Sequence, residues 1–373
     1  MNSIGIVALL VALPTSSVAS VIPVVPVATV DGPGERAKER LSAFRERATL
    51  PSVSAAVAID GEVVFAAAVG YADVEGEVLA TTASRYRIGS VSKTLTAGLI
   101  GRLLDQGKLD LDRPVTEVLP DYPKKRWPFT PRQLGGHIAG VRHYAGGEYL
   151  WRVHYDHVRD GLEMFEEDPL LFEPGTKYQY SSHGFNLLSA VLEVAGEDAY
   201  LTLMQREVFD PLELTGVIAD HADREIPDRV KFYEVVDGAS RESPVVDLSH
   251  KWAGGGFLGT PTDLARFGSA FLHDRYVSAP IRDMLITSQK TSDGRDTGYG
   301  IGWQVRSTTP GARVFGHSGG SVGGRTDLVV RPDTGVVVAV TANASQADRL
   351  QSLAAKLANL FEAQLATEES EDR

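Results

Sequence analysis

The sequence predicts an α+β fold in which an antiparallel sheet is flanked by helices from the two ends of the chain. Two observations carry this prediction. Strand patterns around short turns lie just inside both ends of the chain, and helical patterns lie outside them. Between them, from about Trp127 to Leu248, the chain is rich in His, Gly and Pro and is predicted to be helical. We therefore expect one domain assembled from both ends, with an all-helical subdomain inserted between them.

The N-terminal part supplies a helix and then a hairpin. The stretch "GERAKERLSAFRERA", residues 34–48, has apolar residues at intervals of three and four, which is typical of an amphipathic helix. Next, "SVSAAVAIDGEVVFAAAVGYA" contains two β-rich runs on either side of Asp60 and Gly61. Asp-Gly between two such runs is a strong signal for a type I′ hairpin.

The C-terminal part repeats these elements in reverse order. A second hairpin is predicted in "RTDLVVRPDTGVVVAVTAN", around Asp333 to Gly335, and a helix in "ADRLQSLAAKLANLFEAQL". These elements predict a discontinuous α/β domain over residues 35–126 and 249–366, with the helical insertion at 127–248. Residues 367–373 are left as a tail.

The first thirty residues carry no charged side chain and suggest an export signal. An apolar run from Ile4 to Leu13 precedes "SSVAS", a plausible cleavage site near Ala19 or Ser20. Residues 1–20 are therefore interpreted as a possible signal peptide and residues 21–34 as a linker, which predicts a secreted or periplasmic protein. The usual positive residues before the apolar run are missing, so an uncleaved anchor, a flexible tail or a misplaced start codon stay open. Without a functional signal the protein would be cytoplasmic.

Composition narrows the classes of partner. The 373 residues are 43% hydrophobic and 23% charged, which allows a substantial core, and the net charge is -12. This acidic balance argues against nucleic acid and against an anionic membrane surface. There is no cysteine, hence no disulfide and no cysteine-ligated metal. We expect a small-molecule or peptide substrate and no cofactor, while the oligomeric state stays open.

Ser318 lies in "GHSGG", which fits the G-x-S-x-G pattern of a nucleophile elbow. An elbow needs a helix after the serine, yet a glycine-rich and then β-like stretch follows. Hydrolases with this elbow also place the catalytic histidine after the serine, whereas all nine histidines of this chain precede Ser318. The glycines more plausibly let a ligand approach the backbone closely.

Ser90 and Lys93 form a better candidate pair, S-x-x-K, at the start of a predicted helix. Residues three apart on a helix share a face, so the two side chains are expected to meet. Lys93 can accept a proton only if burial or nearby positive charge lowers its pKa. The alternative is structural, with Ser90 as an N-cap and Lys93 as a solvated residue of the first turn.

Two further motifs follow in order: Tyr180-Ser181-Ser182, where a turn enters a helix, and His317-Ser318-Gly319, on a predicted strand. With "SVSK", the motifs "YSS" and "HSG" resemble the three ordered motifs of the serine β-lactamase and penicillin-binding-protein superfamily. The resemblance runs from about residue 35 to residue 361. It is strongest to the branch with class C β-lactamases, D-alanyl-D-alanine carboxypeptidases, D-aminopeptidases and esterases, and it implies the β-lactamase/transpeptidase-like fold.

The resemblance also implies roles. Ser90 would be the nucleophile that becomes acylated, while Lys93 and Tyr180 would share the proton transfers, with the general base left open. The backbone N–H groups of Ser90 and Gly320, next to Gly319, would form the oxyanion hole. Ser182 and His317 would face the substrate.

Two positions depart from the usual motifs. Ser182 stands where many members have asparagine, and His317 where many have lysine. The permanent charge that engages a substrate carboxylate is therefore missing at neutral pH. A histidine with an ordinary pKa near 6.5 would regain that charge on acidification. These departures favour a peptidase, amidase or esterase over an efficient β-lactamase.

The remaining candidate residues have weaker evidence for a functional role. His154 and His157 have the spacing of metal ligands on a helix, but a solvated helix face is expected and no metal site is predicted. His137 and His143 are assigned no chemistry. The nearby aromatics either line the substrate cleft or pack the helical insertion, and packing is expected; they are Tyr144, Tyr149, Trp151 and Tyr155. The alternative function is a catalytically idle relative that binds peptides or self-assembles.

Overall fold

The computed structural model describes residues 32–309 and 312–371. The predicted signal peptide and all but the last three residues of the predicted linker lie outside the described residues. No helix in the described residues is long and apolar enough to cross a membrane. The helices of this part are α1 (Pro33–Arg47), α2 (Ser92–Asp105), α3 (Val115–Val118), α4 (Pro131–Gly135), α5 (Ser182–Gly196), α6 (Tyr200–Met204), α7 (Trp252–Gly255), α8 (Pro261–Ser269), α9 (Ala279–Leu285) and α10 (Leu350–Glu371).

Most strands belong to one large antiparallel sheet, as the sequence predicts. They are β1 (Ser52–Ile59), β2 (Glu62–Asp73), β3 (Val78–Leu79), β4 (Tyr86–Arg87), β5 (Ile218–Ala219), β6 (Tyr233–Val236), β7 (Ala239–Glu242), β8 (Phe257–Gly259), β9 (Gln304–Thr309), β10 (Ala312–Ser321), β11 (Gly324–Arg331) and β12 (Val336–Ala342). Within the described residues the main sheet has the order β3-β2-β1-β12-β11-β10-β9.

Both predicted hairpins are present. β1 and β2 are joined at Asp60 and Gly61, whose φ angles are 50° and 98°. Positive φ at both turn residues is what a type I′ turn requires. β11 and β12 form the second hairpin, and Gly335 in its turn also has positive φ.

The centre of the sheet is buried on both faces. β12 is buried throughout, and its side chains alternate between two apolar cores. Val338 and Val340 face the core shared with α1 and α10, whereas Val337 and Ala339 face the core shared with α2 and α8. A strand covered on both faces has no polar face, which explains its continuous apolar sequence.

β10 carries the third motif at a point where one edge of the strand becomes free. Its pairing with β9 ends at Gly316, but its pairing with β11 continues to Ser321. Beyond Gly316 the unpaired edge lies against the turn that contains Ser90. The sheet therefore presents a strand edge beside the candidate nucleophile.

The inserted stretch is mainly helical and irregular, but it also contains strands. β6 and β7 form a hairpin whose turn holds Asp237 and Gly238, both with positive φ, and β5 adds to a small separate sheet with β4 and β8. These strands were not predicted, because segments of four residues or fewer give no clear strand pattern in the sequence. The boundaries predicted at 126/127 and 248/249 stay a prediction.

Candidate active site

Ser90 lies in a short 3₁₀ turn, Gly89–Val91, that leads directly into α2. Gly89 has φ of 50°, and a methyl group there would lie only 2.6 Å from the carbonyl oxygen of Gly320. Glycine is therefore needed at this position both for the backbone conformation and for the close approach of β10. The turn places Ser90 at the N-terminal end of α2, where the helix dipole favours negative charge.

Lys93, in the first turn of α2, is fully buried rather than solvated. Its Nζ atom lies 3.2 Å from Ser90 Oγ, 3.0 Å from Ser182 Oγ and 2.5 Å from the carbonyl oxygen of Gly254. Burial lowers the pKa of this lysine well below its ordinary value of 10.5, and the charge of Lys251 lowers it further. The structural alternative for Lys93 is thus excluded by its position.

The three contacts of Lys93 match a neutral amine. Such a group has two N–H donors and one lone pair. The carbonyl of Gly254 can only accept, so it takes one N–H. Ser182 Oγ can take the second, which leaves the lone pair for the hydroxyl proton of Ser90. This arrangement lets Lys93 act as a general base toward Ser90.

Tyr180 covers the same lysine from the side. Its ring centre lies 4.9 Å from Lys93 Nζ, and burial raises the pKa of its phenol far above the ordinary value. The hydroxyls of Ser90 and Ser182 lie beside the phenol and oppose that rise, although neither makes a hydrogen bond of good geometry with it. The phenol is therefore protonated at neutral pH and carries a proton that can be passed to a leaving group.

The middle motif is held by two histidines. Ser181 is the N-cap of α5, and its hydroxyl accepts from the N–H of Gly184. The Ser181 N–H donates to His137 Nδ1 at 3.2 Å, and the Ser182 N–H donates to His143 Nδ1 at 3.0 Å. Sequence reasoning assigned these histidines no chemistry. The structure places them as supports that fix the backbone of the motif.

His317, the first residue of the third motif, is 2% exposed and fully engaged. Its Nδ1–H donates to the carbonyl of Ser318 at 2.6 Å, and its Nε2 accepts from the hydroxyl of Tyr299 at 2.8 Å. Burial lowers the pKa of His317 to about 3, and the charge of Lys93 acts in the same direction. The expectation that His317 titrates near pH 6.5 is therefore wrong, because the imidazole is withdrawn from solvent.

The glycines after His317 bring β10 against the nucleophile. A methyl group on Gly319 would overlap the carbonyl oxygen of Ile88 and lie 3.3 Å from the backbone nitrogen of Ser90. Gly320 follows, beside Gly89. Ser318, by contrast, is exposed, and β11 rather than a helix follows its strand. The local structure is not a nucleophile elbow.

The structure thus brings the predicted residues of all three motifs together around Ser90. The site also contains Gly254, Lys251 and Tyr299, which were not predicted as site residues. No chemical signal in the sequence marks them, since their place depends on the packing of distant segments. In the described residues, no group of three or more His, Asp or Glu side chains is arranged to hold a metal ion.

His154 and His157 do not lie on a helix, which corrects the expectation of a solvated helix face. Residues 151–155 are irregular, and their backbone groups bond to another segment: the Asp247 N–H donates to Trp151 O, and the Tyr155 N–H to Ser249 Oγ. His154 Nδ1 pairs with the Asp247 carboxylate at 2.9 Å. These contacts replace the hydrogen bonds that a helix would make.

Comparisons of this chain with a family model, with individual proteins and with a solved structure agree with one another. A family model described as "Beta-lactamase" matches residues 38–361. The human mitochondrial serine beta-lactamase-like protein LACTB is 27% identical to this chain, and the match covers 88% of this chain and 79% of LACTB. A D-aminopeptidase of Gluconobacter oxydans is 28% identical, and the match covers 90% of this chain and 64% of the D-aminopeptidase. The octameric penicillin-binding protein homologue from Pyrococcus abyssi superimposes with a TM-score of 0.75 at 24% identity, over 86% of this chain and 75% of its own.

Proposed function

Because this chain belongs to the beta-lactamase family, we propose that it cleaves its substrate through a covalent acyl-enzyme on Ser90. Its relatives include penicillin-binding proteins and a D-aminopeptidase, and the chain is a serine hydrolase of amide, peptide or ester bonds. The observation that carries the assignment of Ser90 is the contact of its Oγ with the buried Nζ of Lys93, at 3.2 Å.

Acylation begins with proton transfer from Ser90 to the neutral amine of Lys93. Ser90 Oγ attacks the substrate carbonyl carbon, and the π electrons of that carbonyl move to its oxygen. The N–H groups of Ser90 and Gly320 are the proposed donors to this oxyanion. The carbonyl then re-forms, and the bond to the leaving group breaks. The leaving group takes a proton from Tyr180. The protonated Lys93 then gives its proton to Tyr180.

Deacylation repeats these steps with water as the nucleophile. Lys93 accepts a proton from the water while the water oxygen attacks the ester carbon, and the bond to Ser90 Oγ then breaks. Ser90 regains its proton through Tyr180 and Lys93. The buried pair therefore serves both half-reactions, because one member starts neutral and the other starts protonated.

The substrate class follows from the third motif. His317 is neutral and bonded to Tyr299, so it offers no permanent charge to the carboxylate of a penicillin. Ser182 reaches less far than the asparagine found in many members. We therefore propose a peptidase, amidase or esterase with at most weak β-lactam hydrolysis.

We also propose that the protein is exported. The support is the uncharged N-terminal stretch with its apolar run and small-residue site, which lies outside the described residues. Expression of the full chain with a C-terminal tag in a Gram-negative host, followed by fractionation and N-terminal sequencing, tests this. A new N-terminus near Ala19 or Ser20 in the periplasmic fraction is expected, and a cytoplasmic protein starting at Met1 would contradict it.

Labelling with a fluorescent fluorophosphonate tests the nucleophile. The wild-type protein is expected to bind one probe per chain, and Ser90→Ala none, whereas Ser318→Ala should label fully. Mass spectrometry of a digest would locate the adduct. Absence of labelling in a folded wild-type protein would instead support the catalytically idle alternative.

A further inference from the structure

Lys251 is a buried lysine with no counter-ion in the part of the chain that the structure describes. It ends the 3₁₀ turn Ser249–Lys251, just before α7, and is 4% exposed. Among the described residues no carboxylate pairs with it. Asp247 lies close enough to affect its pKa, but that carboxylate already binds His154 Nδ1 at 2.9 Å and the Ser249 N–H at 2.8 Å.

The contacts of Lys251 leave its donors mostly unused. Its Nζ lies 5.2 Å from the ring centre of Tyr144 and 5.0 Å from that of Tyr149. Within residues 32–309 and 312–371, its one hydrogen-bond acceptor is the carbonyl of Tyr149, at a long distance of 3.5 Å. Aromatic faces stabilise a cation only in part, and a buried ammonium needs hydrogen-bond acceptors for its three N–H groups.

Lys251 lies in the segment that also contacts Lys93. Three residues after it, the Gly254 carbonyl accepts from Lys93 Nζ. Tyr144, which covers Lys251, stacks on His143 at 4.6 Å, and His143 accepts the Ser182 N–H. The site of Lys251 therefore adjoins Ser182, to which Tyr144 and His143 connect it.

The segment over Lys251 is fixed, and its surface is open. Glu148 pairs with Arg142 at 2.8 Å and with His183 at 2.9 Å, and this holds the turn that carries Tyr149. Tyr149 itself is 38% exposed. Part of the Tyr149 side chain, whose ring centre lies 5.0 Å from Lys251 Nζ, is therefore in contact with solvent.

We propose that Lys251 anchors a subsite for a substrate carboxylate on the Ser182 side of Ser90, so that the protein prefers acidic amides or esters. An incoming carboxylate supplies the acceptors that the ammonium lacks. Burial lowers the pKa of the free Lys251 to about 7, with help from Arg87, and a bound anion favours its charged form. The proposal rests on the proposed function for the amide or ester bond that is cleaved. The preference for a carboxylate rests on Lys251 alone.

Two matched pairs of substrates test this preference. N-acetyl-aspartyl and N-acetyl-asparaginyl p-nitroanilides, in L and D forms, place the charge on the acyl part. Alanyl amides of 4-aminobenzoate and 4-aminobenzamide place it on the leaving group. In the pair whose charge reaches Lys251, kcat/KM is expected to be higher for the acid than for the neutral substrate by about tenfold or more, which is the effect of a charge-assisted hydrogen bond. A ratio near one in both pairs would overturn the proposal.

Variants assign the preference to a residue. Lys251→Met should reduce the acid-to-neutral ratio to about one, and Lys251→Arg should restore part of it. Lys108→Met, a change of the same charge at an exposed position beyond α2, should leave the ratio unchanged. Arg325 is the competing cation, because its guanidinium lies beside Gly320. Loss of the ratio in Arg325→Met but not in Lys251→Met would overturn the assignment.

A binding measurement separates this proposal from the chemistry. Calorimetry with the Ser90→Ala protein compares the acid with the neutral member of each of the two substrate pairs. Tighter binding of the acid in one pair, lost in Ser90→Ala/Lys251→Met, is expected even if another residue proves to be the nucleophile. Equal binding of acid and neutral member in both pairs would contradict the subsite, while hydrolysis retained in Ser90→Ala would contradict the proposed function alone. If Lys251→Met does not fold, this comparison and the wild-type ratio still decide.

Discussion

The hydroxyl of Tyr299 donates a 2.8 Å hydrogen bond to Nε2 of His317 and so holds that imidazole in its neutral form. The same environment recurs elsewhere in the fold. Burial lowers the pKa of His183 to about 4 and that of His250 to about 2, as it lowers that of His317 to about 3. The folded protein therefore keeps these histidines uncharged at a pH where the unfolded chain protonates them.

The first prediction is a loss of stability in mild acid. Below pH 6.5 the unfolded state binds protons that the folded state refuses, so the free energy of unfolding falls with pH, by up to about 1.4 kcal/mol per pH unit for each such histidine. Asp327 opposes this, because burial raises its pKa to about 7, and it offsets the contribution of about one such histidine. Urea unfolding at pH 7.5, 6.0 and 5.0 measures the slope.

A matched pair of variants identifies the cause of that slope. His250→Leu should lessen the pH dependence, since both ring nitrogens of His250 are buried and neither has a hydrogen-bond partner among the described residues. His273→Gln, at an exposed position, should leave it unchanged. Equal stability of the wild type at pH 7.5 and pH 5.0 would refute this account.

The second prediction separates the two candidate serines by turnover. Ser90→Ala should lower kcat/KM for a small activated ester by about 10³-fold or more, because it removes the atom that is acylated. Ser318→Ala should lower it by about threefold or less, since an exposed side chain beside the site makes no bond to the reacting atoms. Both variants should have the same melting temperature as the wild type. An inactive Ser318→Ala with an active Ser90→Ala would reverse the assignment.

The third prediction concerns the coupling of Lys93 and Tyr180. Either substitution breaks the same proton relay, so Lys93→Ala/Tyr180→Phe should be little worse than the worse single variant. In the wild type, kcat/KM should fall on acidification as Lys93 becomes protonated, with an apparent pKa well below 10.5. Losses that add in log(kcat/KM), or an acid limb near pH 10, would count against a neutral lysine base.

The fourth prediction uses two glycines with similar backbone conformations. Gly89 and Gly107 have φ of 50° and 67°, but of the two only Gly89 would bring a methyl group against a strand, at Gly320 of β10. Alanine at either position should cost about 1–2 kcal/mol for the left-handed conformation. Gly89→Ala should in addition lower kcat by about 10²-fold, because it displaces a proposed oxyanion donor. Kinetics and thermal melts of both variants test this, and wild-type kcat in Gly89→Ala would disprove it.

Local patterns predicted the parts of this molecule that local chemistry determines. Asp60 and Gly61 form their turn because Gly readily accepts positive φ and Asp tolerates it. Ser90 and Lys93 meet because a helical turn separates them. Such features depend on neighbours within a few residues, and the sequence shows them directly.

The remaining features depend on contacts between distant segments. Lys251 is buried because it packs against Tyr149, 102 residues away. His317 was recognised as a site residue, but its protonation state follows from Tyr299 and from burial. The spacing of His154 and His157 suggested a helix, whereas the segment bonds to Asp247 and Ser249 instead. No periodicity in the sequence reports such pairings.

The pairing of β1 with β12 has a consequence for how the chain reaches its native state. Val53 lies opposite Ala342, and Ile59 opposite Val336, so the middle of the sheet joins strands from opposite ends of the polypeptide. During synthesis the β1–β2 hairpin leaves the ribosome with one apolar edge open, and that edge waits until residues 336–342 have emerged. Closing so long a loop is slow, and an open edge invites pairing between nascent chains. A chain that stops before β12 would thus be prone to aggregate rather than fold into a smaller version of this protein.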